Sequence, residues 1–167
     1  MKHQHGITLI ELIVVIVILG VLAITALPRF INFGSDAKIA SLDSVASQIE
    51  ATVQMVKAKA LVKGLRVSAS NPGDQVEYLV DFGFGRSEVD WRNLCPESLA
   101  ELGDNMQLSD FIDIGPDSLL SSRVNNQYTL IGFELPSAGQ PTDQGCYLIY
   151  DSFGDPICNV TVVTVDC

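Results

Sequence analysis

Beyond residue 5 the sequence contains no histidine; its two, His3 and His5, stand at the extreme N-terminus. The body of the chain therefore holds no Ser-His-Asp or Cys-His nucleophile pair and no His-ligated metal site, and neither catalytic residues nor a cofactor are expected. No G-x-x-x-x-G-K-[ST] phosphate loop is present, so nucleotide-driven work falls to another protein. Positive charge is also scarce. Ten Lys and Arg face twenty Asp and Glu, a net of −10, which excludes a chain built to neutralise phosphates, and no nucleic-acid partner is expected. Charged residues make up only 18% against 47% hydrophobic, which is not the composition of a disordered chain. Aromatics are 7%; Trp91, Tyr128, Tyr147 and Tyr150 read as core side chains rather than sugar-stacking platforms, and no residue is assigned to a sugar site.

What is present is segregated. Residues 1–34 and 35–64 each carry a net of +1, whereas residues 65–167 carry four Arg against sixteen acids. A mean hydropathy of +0.29 beside a strongly negative charge thus describes two environments rather than one mixed domain.

The apolar excess lies in Ile7–Leu27, where only Thr8, Glu11, Gly20 and Thr25 are not Ala, Val, Ile or Leu. As a helix these 21 residues span roughly 31 Å, the thickness of a bilayer's hydrocarbon core. A cleaved secretory signal would be shorter and would end in a small-residue site, which Leu27-Pro28-Arg29-Phe30 does not supply. Lys2 holds the cytoplasmic side by the positive-inside rule. Glu11 is unexplained by a plain anchor, since a carboxylate at mid-membrane costs about 2.5–3.5 kcal/mol and needs a partner. No basic side chain lies between Gly6 and Glu11. An α-amino group made by cutting ahead of Ile7 would serve, pairing with Glu11 of a neighbouring chain.

The stretch Met1-Lys-His-Gln-His-Gly6 followed by Ile7-Thr-Leu-Ile-Glu11-Leu-Ile-Val-Val-Ile-Val-Ile-Leu-Gly20 resembles a type IV prepilin: a short basic leader, a Gly at the cut, and a Glu five residues in, counting Ile7 as one. Val21–Asn32, with Pro28, resembles in particular the major pilins of mannose-sensitive haemagglutinin (MSHA) pili. The resemblance covers residues 1–60 closely and the remainder only in layout. It implies an α+β pilin fold, with a long N-terminal helix half in the membrane and half on a head. It implies that a prepilin peptidase cuts between Gly6 and Ile7 and N-methylates Ile7, and that Glu11 neutralises that amine on an adjacent subunit. Gly20 and Pro28 then bracket a stretch that loses helical order inside filaments; both are weak helix residues. The family usually begins its mature chain with Phe, where this sequence has Ile7.

The organisation expected is a leader at 1–6, a membrane and filament-core helix at 7–33, an amphipathic helix at 34–64 and a disulfide-bonded head at 65–167. Gly34-Ser35-Asp36 is a weak point. After it, Ile39, Leu42, Val45, Ile49, Val53, Val56 and Ala60 recur every three or four residues, an apolar stripe ending at Gly64. Lys38, Asp43, Ser47, Glu50, Gln54 and Lys57 lie opposite. In the head, Gln75–Phe82 reads as a short strand, Cys95-Pro96-Glu97-Ser98 as a helix start with Pro96 at N1, and Asp117–Ser122 as a helical turn. Tyr128–Leu135, Cys146–Asp151 and Pro156–Val165 read as strands, the last two flanking the turn Ser152–Asp155, which makes an antiparallel sheet of at least three strands.

Four cysteines in a head on the oxidising side of a membrane read as two disulfides. With Ser152–Asp155 as the turn, Cys146 faces Thr161 and Cys158 faces Ile149. That leaves Cys146 and Cys158 roughly 10 Å apart on opposite faces, beyond disulfide reach. Cys158 and Cys167 lie nine residues apart along one extended segment. The pairing left is Cys146–Cys167 with Cys95–Cys158; the first also resembles the C-terminal disulfide-bounded loop of the pilin family. Phe82-Gly-Phe84-Gly85 reads as a turn. Asp110, Asp113 and Asp117 lack the spacing of a calcium loop and read as a solvated face, so no metal is expected. Asn159-Val-Thr161 matches a glycosylation sequon but falls inside a strand.

The function these features imply is a structural subunit. It is stored in the inner membrane with its head in the periplasm, then polymerised through its N-terminal helix by the pilus assembly machinery into an extracellular adhesive pilus. The alternative is a pseudopilin of a type II secretion system, which shares the N-terminus; major pseudopilins are generally shorter and lack this cysteine arrangement. A single-pass anchored binding protein leaves Glu11 unexplained.

Overall fold

A computed structural model describes residues 8–167 apart from 116, 117 and 155, and gives the backbone alone for 26–32. Helix α1 (Leu9–Val62) is followed by six strands: β1 (Leu79–Asp81), β2 (Arg86–Glu88), β3 (Ser121–Val124), β4 (Tyr128–Glu134), β5 (Cys146–Asp151) and β6 (Asn159–Val163). The chain divides into two units, Met1–Ala37 and Lys38–Cys167.

In the first unit, Thr8 starts the helix. Its hydroxyl accepts from the Glu11 amide (3.3 Å) and its carbonyl from the Leu12 amide (3.2 Å), so one side chain satisfies an amide that the first turn leaves free. From there to Thr25 every side chain is exposed. α1 passes through Gly20, Pro28 and Gly34 without a break, so the weak point expected at Gly34-Ser35-Asp36 does not interrupt it. Intact i→i−4 bonding on either side carries the helix across single weak residues. Among the described residues no helix is long and apolar enough to cross a membrane. The described side chains of the apolar run extend from Thr8 to Thr25; Ile7, Ala26 and Leu27 lie outside them.

In the second unit the apolar stripe of α1 faces the head. Leu42, Ile49, Val56 and Ala60 are fully buried, Val45 and Val53 nearly so, and Ile39 is half-buried. Gly64 closes the helix at φ +91°, a left-handed position that glycine takes at no steric cost. The Leu65 amide reaches back to the Ala60 carbonyl (3.0 Å). The main sheet is antiparallel in the order β3-β4-β5-β6, and β1 and β2 form a separate hairpin. Val45, Ile49 and Val53 meet Ile131, Leu148 and Tyr150 of the sheet in one core. Val56 and Ala60 meet Tyr78, Val80, Val89 and Leu94 in a second. A bulge lies between Gly132 and Glu134, where β4 pairs with β5. A Cβ at Gly132 would collide with Cβ of Tyr147 and the Cys146 carbonyl, so the close approach of these strands requires glycine.

Four local expectations are corrected. Gln75–Phe82 is not one strand: Gln75–Tyr78 is a 3-10 turn capped by Asp74, and β1 follows it. Asp74 accepts from the Val76 amide and so competes with strand pairing. Pro96 starts no helix. It bridges Val89 in an extended segment, because Asp90 and Asn93 take up the amides of Arg92 and Cys95, and Leu94 sits at φ +63°. The Asp117–Ser122 helical turn is absent in its described part: Ser121 and Ser122 belong to β3 and pair with Gly132 and Ile131. The β5–β6 hairpin is wider than a Ser152–Asp155 turn, since Thr161 faces Ile149 and Asn159 faces Asp151. The connection therefore runs from 152 to 158, held by the Asn93 side chain, which donates to the carbonyls of Ser152 (2.7 Å) and Gly154 (2.8 Å).

Candidate functional site

The N-terminal segment is a helix with an unpartnered apolar surface and one acid. Thirteen large aliphatic side chains between Leu9 and Ile24 are exposed, with Leu9 and Ile24 each at 76%. Glu11 lies in the first turn, where the helix dipole favours a carboxylate, and it too is exposed. The pattern Thr8-x-x-Glu11 is that of a capping box, a signal present in the sequence beside the acid itself. Gly6 and Ile7 lie outside the described residues. Gly20 sits inside α1 with nothing within 4 Å of where a Cβ would stand, so the lone chain has no steric need for glycine there. Pro28 lies within α1, in the part described by backbone alone.

In the head, disulfides join Cys95 to Cys158, with Cα atoms 6.1 Å apart, and Cys146 to Cys167, at 4.8 Å. The first ties the segment after β2 to the start of β6; the second ties the C-terminus to β5. The wider hairpin moves Cys146 and Cys158 further from facing each other than the tight turn would.

The head also buries a group of carboxylates that no sequence spacing connects. Glu88 and Asp90 are fully buried and Glu97 is 3% exposed. The Glu97 amide donates to the Glu88 carbonyl (3.0 Å) beside the Val89–Pro96 bridge, which sets Glu88 and Glu97 opposite one another. Glu88 Oε2 accepts from the amides of Glu101 (2.8 Å) and Leu102 (3.1 Å), while Oε1 has no partner. Asp90 pairs with Arg92 at 2.5 Å, and the guanidinium lies over the rings of Trp91 and Phe153. Burial, then the charges of Asp90, Glu88 and Glu101, push the Glu97 carboxyl up to about 8. Burial likewise raises the Tyr150 phenol well above its ordinary value; its hydroxyl donates to the Pro96 carbonyl at 2.7 Å.

The remaining candidates fall into local roles. Asp110 accepts from the Gln107 amide and Asp113 from the Gly115 amide; Asp117 lies outside the described residues. Among the described residues no group of three His, Cys, Asp or Glu side chains is arranged to hold a metal ion. Phe82–Gly85 forms the β1–β2 turn, and Phe82 packs edge-on against Phe111 at 5.2 Å. Tyr147 and Tyr150 are fully buried, and Trp91 and Tyr128 half-buried. Asn159 and Thr161 are exposed at the start of β6.

A long N-terminal helix with an apolar exposed start, joined to an antiparallel sheet, is the type IV pilin fold. Residues 1–27 match the family model of the prokaryotic N-terminal methylation motif. Fold and motif together point to a type IV pilin-like or pseudopilin protein, and the motif is a prepilin peptidase cleavage site. No curated protein and no solved structure matches the chain.

Proposed function

We propose that this chain is the structural subunit of an extracellular type IV pilus of the MSHA kind, used in surface attachment. Prepilin peptidase cuts between Gly6 and Ile7 and methylates the new amine, removing the 1–6 leader. The 7–33 segment holds the subunit in the inner membrane with its head in the periplasm. The assembly machinery then moves it into a filament, where copies polymerise through this helix. Glu11 pairs with the Ile7 amine of a neighbour, and helical order is lost between Gly20 and Pro28. The 34–64 helix and the 65–167 head travel as the outer layer.

The observation that carries this reading is the exposed apolar helix surface from Leu9 to Ile24, interrupted by a single acid and lying within the matched methylation motif. A continuous apolar surface of this kind on a soluble monomer is an interaction surface, and lipid and like helices are the two partners that match it in turn. Two disulfides suit a head that works outside the cell.

The test is electron microscopy of cells expressing the full chain, with wild type beside Glu11→Ala. Wild type should give long surface fibres containing this protein. Glu11→Ala should be processed normally yet give none, because the amine is then buried without a counter-charge. Short periplasmic assemblies with no surface fibres would instead favour the pseudopilin reading.

A further inference from the structure

One of the buried carboxylates borders a cavity that the proposed function does not use. The cavity has a volume of about 150 Å³ and is lined in part by Trp91, Arg92, Glu97, Glu101, Asn126 and Phe153. That is room for several groups the size of a water molecule. Glu97 is the informative residue. Only 3% of it is exposed; its amide donates to the Glu88 carbonyl (3.0 Å) and its carbonyl accepts from the Leu108 amide (2.9 Å). Its backbone bonds are thus made, and what Glu97 presents to the cavity is its carboxyl, to which no described residue donates. Glu101 and Asn126 are exposed, so the cavity opens to solvent on their side.

Positive charge is short around this cavity. Glu88, Asp90, Glu97 and Glu101 act on one another, and Arg92 is the one base among them. Arg92 is already committed. It pairs with Asp90, and its guanidinium lies 4.3 Å from the centre of the Trp91 ring and 4.2 Å from that of Phe153. Glu88 offers one oxygen to the amides of Glu101 and Leu102, and its other oxygen is enclosed without a partner. An anion is repelled by such a setting. A metal ion lacks its donors, since no group of three His, Cys, Asp or Glu among the described residues is arranged to hold one. A primary ammonium carries one charge and three N–H donors on a compact head, which suits two carboxylates and a side-chain amide oxygen.

We propose that this cavity binds a primary ammonium group, with Glu97 and Glu101 as its carboxylate partners, Asn126 as the third acceptor, and the Trp91 and Phe153 rings beside its carbon chain. Burial, then the charges of Asp90, Glu88 and Glu101, keep the Glu97 carboxyl protonated up to about 8, so the cation enters as this proton leaves. Those three acids, Arg92 and the Tyr150 phenol are the charged and titratable groups that face Glu97. The ammonium belongs to a small free amine or to a lysine side chain of another chain, and the recognition chemistry is the same for both.

Trp91 is the one tryptophan in the sequence, so its fluorescence in the full chain, held in detergent micelles, reports this cavity directly. Titration with propylammonium chloride at constant ionic strength should give a saturable change. Tetramethylammonium, 1-propanol, glucose and calcium chloride should give none. Affinity should rise by about tenfold or more between pH 6 and pH 8, as Glu97 loses its proton while propylammonium stays charged. Glu97→Gln should weaken binding by about tenfold or more and remove this pH dependence, with the fold retained because the amide matches the protonated carboxyl it replaces. Formation of both disulfides in the variant checks the fold. No saturable response to propylammonium, an equal response to any of the four controls, or unchanged affinity in Glu97→Gln overturns the proposal. Carbodiimide coupling of native membranes and sheared surface material then separates the two sources. An amide joining Glu101 to a lysine of another chain assigns the ammonium to a protein; propylammonium binding without that amide assigns it to a free amine.

Discussion

At the scale of single residues, the head is shaped by polar groups held out of water. Glu97 is the clearest case. Its carboxyl is raised from about 4.5 to about 8, so between those values the folded head keeps a proton that the unfolded chain releases. Stability from this group is therefore full below about 4.5 and falls as pH rises through the window, with the loss complete above about 8. Glu97→Gln should flatten this decline, raising the head's stability by up to about 5 kcal/mol at pH 9 while leaving it nearly unchanged at pH 5. Thermal melts of both proteins across that range check it; parallel curves for the two would contradict it. Tyr150→Phe should cost about 1–3 kcal/mol at all of these pH values, since it leaves the buried Pro96 carbonyl without its donor. None of this was legible in the sequence, because Glu88 and Glu97 are brought opposite one another only by the bridge at Val89–Pro96. By contrast, Glu11 announced itself through the apolar run around it.

At the scale of elements, helices were easier to read than connections. The stripe Leu42–Ala60 follows from local spacing, and the same side chains line the core. Ile49→Ala should therefore cost about 2–5 kcal/mol in urea unfolding, because it removes a fully buried side chain at the join of helix and sheet. The β5–β6 register was out of reach for a physical reason. The 152–158 connection is tied by the Asn93 amide and by the Cys95–Cys158 disulfide, which come from more than fifty residues away. Its Ser-Phe-Gly-Asp stretch looks locally like a complete turn. Pro96 misled in the same way: it suits a helix start, but neighbouring Asp90 and Asn93 side chains hold the backbone in a loop. Within α1, Gly20 tests the proposed loss of helical order, since the helix runs through it unbroken in the lone chain. Gly20→Ala should stabilise the helix of the isolated subunit by up to about 1 kcal/mol. It should also lower filament yield if order must be lost between Gly20 and Pro28, which circular dichroism of subunits beside counts of sheared filaments can separate.

At the scale of the whole molecule, the opposed averages of the sequence, apolar yet acidic, sort into surfaces with different partners. The exposed Leu9–Ile24 surface is apolar, matching lipid or like helices, and the acidic head suits water. The methylation motif and the pilin fold point to the class, and in the function proposed here cutting at Gly6 would turn Glu11 from a liability into half of an ion pair. The most direct measurement is therefore mass spectrometry of the N-terminus of the protein isolated from its native membrane or filaments. The account predicts a chain beginning with N-methyl-isoleucine at Ile7, lacking residues 1–6. A chain that still begins at Met1 in assembled material would contradict it.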